Sequence, residues 1–249
     1  MTILVFGGHS PIALNISNFL LESNTTIHIT RNIDEEIKSV AKSNLTFIEW
    51  DYKNIENLLN LVECKTQIDK INGIVFAFRS KDKNNLNKLL DSDFTLPLMI
   101  IEYFNNKHPY LKINIVFLIS ESHNAIVYDQ NLNYHVLNAA LVQLIKWVSA
   151  QTKYSNFYIN AIMLGSFITK ARSKNFYERN PKLVNNLLET IPNKFMTKLQ
   201  EISELTQILL KAQIDSLKGQ IFHLNSGLSN FAISSTVKKI LYTQSNLKP

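Results

Sequence analysis

The sequence predicts one α/β domain over residues 1–249, built on a doubly wound, mostly parallel sheet with helices on both faces. Strand-like apolar runs alternate with helical patterns along nearly the whole chain, as βαβ repetition requires. Neither a linker nor a low-complexity tract interrupts them, and the length suits an undivided α/β domain. The first apolar run ends in the pair Gly7-Gly8, two of only six glycines in the chain, and passes directly into a helical pattern.

In order, Ile3 to Phe6 reads as a strand, and Ile12, Ile16, Phe19, Leu20 and Leu21 mark an amphipathic helix from Pro11 to Glu22. Thr26 to Thr30 is the second strand, followed by a helix near Ile33 to Ser43. Leu45 to Trp50 is the third, followed by a helix near Ile55 to Thr66. Ile74 to Phe78 reads as a strand, Asn85 to Asn105 as helical and Ile113 to Ser120 as a strand. Tyr134 to Thr152 is a long helix and Tyr158 to Leu164 another strand; Glu201 to Gln213 is helical, and Gly219 to Asn225 gives the last strand. Ligands of such a sheet lie outside the strand C-termini.

A buried strand that ends in glycines and enters a helix lets backbone N–H groups and a helix N-terminus face a pyrophosphate. Gly7, His9, Ser10 and Ile12 are therefore candidate dinucleotide contacts. The strict G-x-G-x-x-G spacing is absent, so a plain tight turn is the competing reading.

Hydrophobic residues at 45% and charged residues at 18% exclude a disordered chain. Cys64, the lone cysteine, leaves no disulfide framework or thiolate metal site. The start MTILVFGG lacks a cleavable leader, which points to a reducing, cytoplasmic setting. Apolar runs such as Leu96 to Ile101 fall far short of the roughly 20 residues of a membrane span, so no membrane association is expected. The net charge of +6 is dispersed except at Lys170, Arg172, Lys174, Arg179 and Lys182, unlike the dense basic stripe of a nucleic-acid binder. The six histidines show no metal-ligand spacing, and no metal is expected.

Several segments carry a resemblance in order. Phe6-Gly7-Gly8-His9-Ser10-Pro11-Ile12-Ala13 stands where a T-G-x-x-x-G-I-G loop would be, and Asp51 follows Phe47-Ile48-Glu49-Trp50. Asp93-Phe94-Thr95-Leu96-Pro97 looks like N-x-T-x-P, and Tyr134 to Ala140 is Y-x-x-x-K-like with Asn138 at the lysine. Asn160 to Thr169 matches N-x-x-x-P-G-x-x-x-T, and Gly219-Gln220 to Asn225-Ser226-Gly227 resembles a closing G-Q-x-x-x-x-D-G-G. Together they resemble the short-chain dehydrogenase/reductase (SDR) family from the first strand to Gly227.

The resemblance implies a Rossmann-type fold, an adenine contact at Asp51 and a cofactor contact at Thr169. It also implies cofactor packing at Ala77, although Phe76-Ala77-Phe78-Arg79 replaces the family's N-N-A-G. The second strand ends in Thr30-Arg31-Asn32 and has no acid for a ribose 2′-hydroxyl, while Arg31 can pair with a 2′-phosphate, so NADP(H) is expected rather than NAD(H). A solvent-exposed arginine is the bland alternative.

Of the four catalytic positions Tyr134 is retained, Asn138 replaces the lysine and Asp93 replaces the asparagine. The serine position falls on Glu121, flanked by Ser120 and Ser122. Asn138 can bond a ribose but brings no charge to favour a phenolate, and a carboxylate at Glu121 disfavours one. A proton-donating tyrosine, and hence reduction, is better served than oxidation. His123 and His135 flank the site; either could act in acid/base chemistry or be an ordinary loop and helix-surface residue.

The resemblance implies an SDR-type, NADP(H)-dependent carbonyl reductase with an atypical active site. The alternatives are a non-redox enzyme (dehydratase, isomerase or cyclase) and an inactive binding subunit. The helix from Tyr134 carries more apolar residues than one inward stripe needs, which with the resemblance implies a homodimer or homotetramer. Residues 170–198 correspond to the family's substrate lid, and their excess of basic residues suits a small anionic or carrier-linked substrate.

Overall fold

The computed structural model describes residues 1–77, 84–126, 130–165 and 178–230. Seven strands form one all-parallel sheet: β1 (Thr2–Phe6), β2 (Thr25–Thr30), β3 (Thr46–Glu49), β4 (Ile71–Phe76), β5 (Ile113–Ser120), β6 (Phe157–Leu164) and β7 (Ile221–Leu224). Their order is β3-β2-β1-β4-β5-β6-β7. Winding runs outward in both directions from the β1/β4 junction, so the crevice for a ligand opens at the C-terminal ends of those two strands.

The longer helices are α1 (Pro11–Leu20), α2 (Glu35–Val40), α3 (Ile55–Glu63), α4 (Leu86–Leu90), α5 (Leu96–Lys107), α6 (Leu132–Ala150), α7 (Pro181–Thr190) and α8 (Leu199–Lys211). Side chains of successive strand residues point to opposite faces. Leu4 and Phe6 join a core with Leu58 of α3, Ile100 of α5 and Leu141 of α6. Ile3 and Val5 join a second core with Ile16 of α1 and Leu209 of α8. Both faces of the sheet are covered, and its central strands accordingly read as solid apolar runs. Among the described residues no helix is long and apolar enough to cross a membrane.

The expected helix Asn85 to Asn105 is not continuous. A π-helical turn, Asp91–Thr95, separates α4 from α5. Proline lacks an N–H and crowds the carbonyl four residues back, so Pro97 disturbs the helical ladder at Asp93 and accounts for the widened turn there. Part of the expected lid segment forms α7, a helix absent from the sequence expectation.

Candidate functional site

The crevice is framed first by the loop after β1. A Cβ at Gly7 would lie 1.8 Å from the Ala13 Cβ, so only glycine lets β1 and α1 approach this closely. Gly8 follows with φ +51°, in the left-handed region. The N–H groups of Gly7 and Gly8 both turn to the Ile29 carbonyl, at 3.4 and 3.3 Å. Both amides are thus directed at β2. The helix end is the open donor set: Ser10, the N-cap of α1, makes no side-chain capping bond, and Pro11 contributes no N–H. Ile12 and Ala13 supply the remaining first-turn amides. His9 and Ser10 are both half-buried beside them.

The sequence reading missed His28. It is fully buried on β2, with Nε2 2.9 Å from the Gly8 carbonyl and Nδ1 2.9 Å from Ser17 Oγ on α1. A carbonyl only accepts, so Nε2 carries the proton and Nδ1 accepts from the serine hydroxyl. Burial lowers the His28 pKa to about 4, against the smaller opposing effect of the Gly8 bond. A neutral imidazole therefore fastens strand, helix and glycine loop together. The sequence signal was a histidine sharing inward parity with Thr26 and Thr30 in a strand buried on both faces.

Ala77 closes the other side of the crevice, its N–H donating to the Phe6 carbonyl at 2.8 Å. Arg31 is exposed at the end of β2 and its guanidinium lies over the Tyr52 ring, 4.9 Å from the centroid. Asp51 is exposed, with Oδ1 accepting from Lys53 N–H at 3.0 Å. His9 Nδ1 lies 3.5 Å from Asp34 Oδ2, and Asp34 also caps α2 by accepting from Ile37 N–H. With Glu36 these form a cluster of potential metal-ligating groups that sequence spacing did not show. An ion pair and an N-cap account for its two half-buried members. Thr169, Phe78 and Arg79 lie outside the described residues.

The second half of the site sits at the end of β5 and the start of α6. Asn131 caps α6 by accepting from Tyr134 N–H at 3.1 Å, which sets Tyr134, half-buried, in the first turn. One turn on, Asn138 is fully buried. Its Oδ1 accepts from Ser120 N–H at 2.9 Å and its Nδ2 donates to the Tyr134 carbonyl at 2.7 Å. Oδ1 and Nδ2 thus each bond the protein, whereas the sequence left the side chain able to bond a ribose. A shorter, uncharged side chain in the lysine position stays inside and clamps β5 to α6.

Glu121 accepts a hydrogen bond from the Asn225 amide beyond the end of β7. Gly165 makes the approach possible, because a Cβ there would lie 2.7 Å from the Asn225 Cβ. Ser120 Oγ accepts from Ser122 N–H at 3.4 Å, while Ser122 is buried and its own Oγ has no partner among the described residues. Asp93, in the π-turn, is buried and accepts from Ser92 Oγ at 2.6 Å. His123 and His135 each give Nδ1 to a backbone carbonyl, Ser120 at 3.3 Å and Asn131 at 2.9 Å. These are local bonds within a 3₁₀ turn and a helix start. The structure thus brings Ser120, Tyr134 and Asn138 into one bonded group, whereas Glu121 is drawn to β7 and Asp93 sits in the turn between α4 and α5.

A family model described as enoyl-(acyl carrier protein) reductase matches residues 9–229. The chain belongs to the short-chain dehydrogenase/reductase family. Among solved structures it is similar to the RhlG/NADP active-site complex of Pseudomonas aeruginosa, at 16% identity and TM-score 0.74, over 91% of this chain and 95% of that one. A 3-oxoacyl-[acyl-carrier protein] reductase from Brucella melitensis gives 16% identity and TM-score 0.72 over 93% and 98%. The actinorhodin polyketide ketoreductase with NADPH gives 14% and 0.73 over 92% and 97%. No curated protein matches the sequence. This SDR chain keeps the family fold throughout, including the β1/β4 crevice.

Proposed function

We propose that this SDR protein is an NADP(H)-dependent oxidoreductase of the carbonyl-reductase kind with an atypical proton-handling site. The observation that carries the reading is Arg31, placed beside the glycine loop at the end of β2 with no carboxylate in ion-pair distance among the described residues. The residues fit the dinucleotide. Gly7 seats the strand against the helix, the uncapped start of α1 suits a pyrophosphate, and a guanidinium suits a 2′-phosphate. The names of similar structures support it, since NADP and NADPH appear in several of them.

When bound, the nicotinamide supplies a hydride. In this reading Tyr134 donates the proton to the substrate oxygen, and Ser120, whose Oγ already accepts one bond, orients that oxygen with its O–H. Asn138 holds both residues by their backbones and brings no charge to favour a phenolate. The family description and the acyl-carrier reductase neighbour support an anionic or carrier-linked substrate, drawn by basic residues such as Arg179, Lys182 and Lys198. Exposed Met99, Val136 and Trp147 on α5 and α6 support a homodimer or homotetramer, an idea that a monomer by light scattering at micromolar concentration would sink.

A second reading, a dinucleotide-binding subunit or a non-redox enzyme, is favoured by the burial of Asn138 and the Glu121–Asn225 bond. The separating experiment follows NADPH oxidation with a panel of carbonyl compounds, including 3-oxoacyl thioesters. Turnover that falls about 100-fold in Tyr134→Phe with NADPH binding intact supports reduction. Tight NADPH binding with no turnover on any carbonyl supports the second reading.

A further inference from the structure

We propose that Tyr52 is a specificity-determining residue for the dinucleotide: it holds the Arg31 guanidinium in place for a 2′-phosphate. The inference rests on the NADP(H) reading above. Tyr52 has φ 63°, the left-handed region that bulky residues seldom enter, and it is held there by three contacts. Its hydroxyl donates to the Ile29 carbonyl at 3.2 Å, the same oxygen that receives the Gly7 and Gly8 N–H groups. Its ring lies 4.9 Å from that of Trp50, which is itself anchored by Nε1–H donating to the Asn54 carbonyl at 2.9 Å. The Arg31 guanidinium carbon lies over this ring, 4.9 Å from its centroid.

An exposed arginine loses much rotamer freedom when it binds a ligand, and stacking on a rigid ring removes part of that loss beforehand. A guanidinium held over an aromatic ring keeps N–H donors for a phosphate contact. Tyr52 therefore acts on the 2′-phosphate contact through its ring, while its hydroxyl shares the Ile29 carbonyl with the glycine loop. The Ile29 carbonyl ties this platform to the glycine loop, so both binding elements share one anchor.

The test is fluorescence titration with NADPH and NADH of the wild type, Tyr52→Leu, Tyr52→Phe, Arg31→Leu and the Tyr52→Leu/Arg31→Leu double variant. Tyr52→Leu should lower the NADPH to NADH preference about three- to tenfold, whereas Tyr52→Phe keeps the ring beneath Arg31 and holds that ratio within about twofold. In the Arg31→Leu background Tyr52→Leu should not change the NADPH to NADH ratio further. Equal weakening of both dinucleotides by Tyr52→Leu would overturn the proposal, as would a ratio that collapses in Arg31→Leu and survives in Tyr52→Leu. Should Tyr52→Leu not fold, Arg31→Lys keeps the charge without the planar stack, and an unchanged ratio there is equally fatal. A wild type that binds neither dinucleotide, or both equally, removes the cofactor reading itself and this inference with it.

Discussion

The two halves of the crevice use polar side chains in opposite ways. At the end of β2, His28, Ile29 and Tyr52 spend their bonds on fixing the glycine loop and the base of Arg31, while the start of α1 and the edge of the guanidinium stay open. At the end of β5, the bonds of Asn138, Glu121 and Asp93 are spent on the protein itself. In the first half the bonds steady a loop and an arginine beside an uncapped helix start; in the second they join β5, α6 and the end of β7 to one another. The difference separates an ability to hold a dinucleotide from an ability to do chemistry with it.

The largest effect should come from closing the binding half. Gly7→Val places branched carbon where a Cβ alone would already be 1.8 Å from Ala13, so β1 and α1 must separate. We expect a loss of about 3 kcal/mol or more in stability and no measurable dinucleotide binding, read by urea unfolding and fluorescence. A stable variant with normal binding would show that the close approach is not required.

In the reacting half, Asn138→Lys should fail to restore the family's chemistry. It would bury an ammonium at a fully buried position and abandon the bonds to Ser120 N–H and the Tyr134 carbonyl. A cost on the order of 3 kcal/mol is expected, visible in the denaturation midpoint. A fully stable variant with increased reductase activity would instead make Asn138 a displaced catalytic position and erase the contrast between the halves.

His28 gives the binding half a pH signature. Folded protein keeps it neutral down to about pH 4, whereas an unfolded histidine takes its proton near 6.5. Between those values the unfolded state binds more protons, so stability falls as pH drops from 6.5 towards 4, by roughly 3 kcal/mol across the window. Above 6.5 the contribution is complete and flat. His28→Gln should flatten that slope in unfolding experiments across the same range, and an unchanged slope would remove His28 from the account.

Much of the fold was legible because its strands are buried on both faces and carry apolar runs, as Ile3 to Phe6 and Ile115 to Ile119 show. Less legible were features set by tertiary contact. Pro97 was visible, but the π-turn it accompanies at Asp93 was not, since proline at a helix start is common. The glycine pair correctly marked the loop, yet the direction of its N–H groups depends on the Ile29 carbonyl from another strand. Asn138 is legible by spacing, but its bonds to Ser120 and Tyr134 are not, because spacing places a side chain on a helix and says nothing of its burial. Tyr52 and His28 were missed for a related reason: each matters through partners distant in sequence, Arg31 and Ile29 for one, Ser17 and Gly8 for the other.

The smallest expected effect bears on the central claim, that the binding half is built for a 2′-phosphate. The measurement is the ratio of NADPH to NADH dissociation constants for the wild type and Arg31→Asp, titrated by fluorescence at fixed ionic strength. The account predicts that the wild type prefers NADPH and that Arg31→Asp loses about 1.5–3 kcal/mol of that preference. A wild type that binds the two dinucleotides equally, or a ratio untouched by Arg31→Asp, would contradict it.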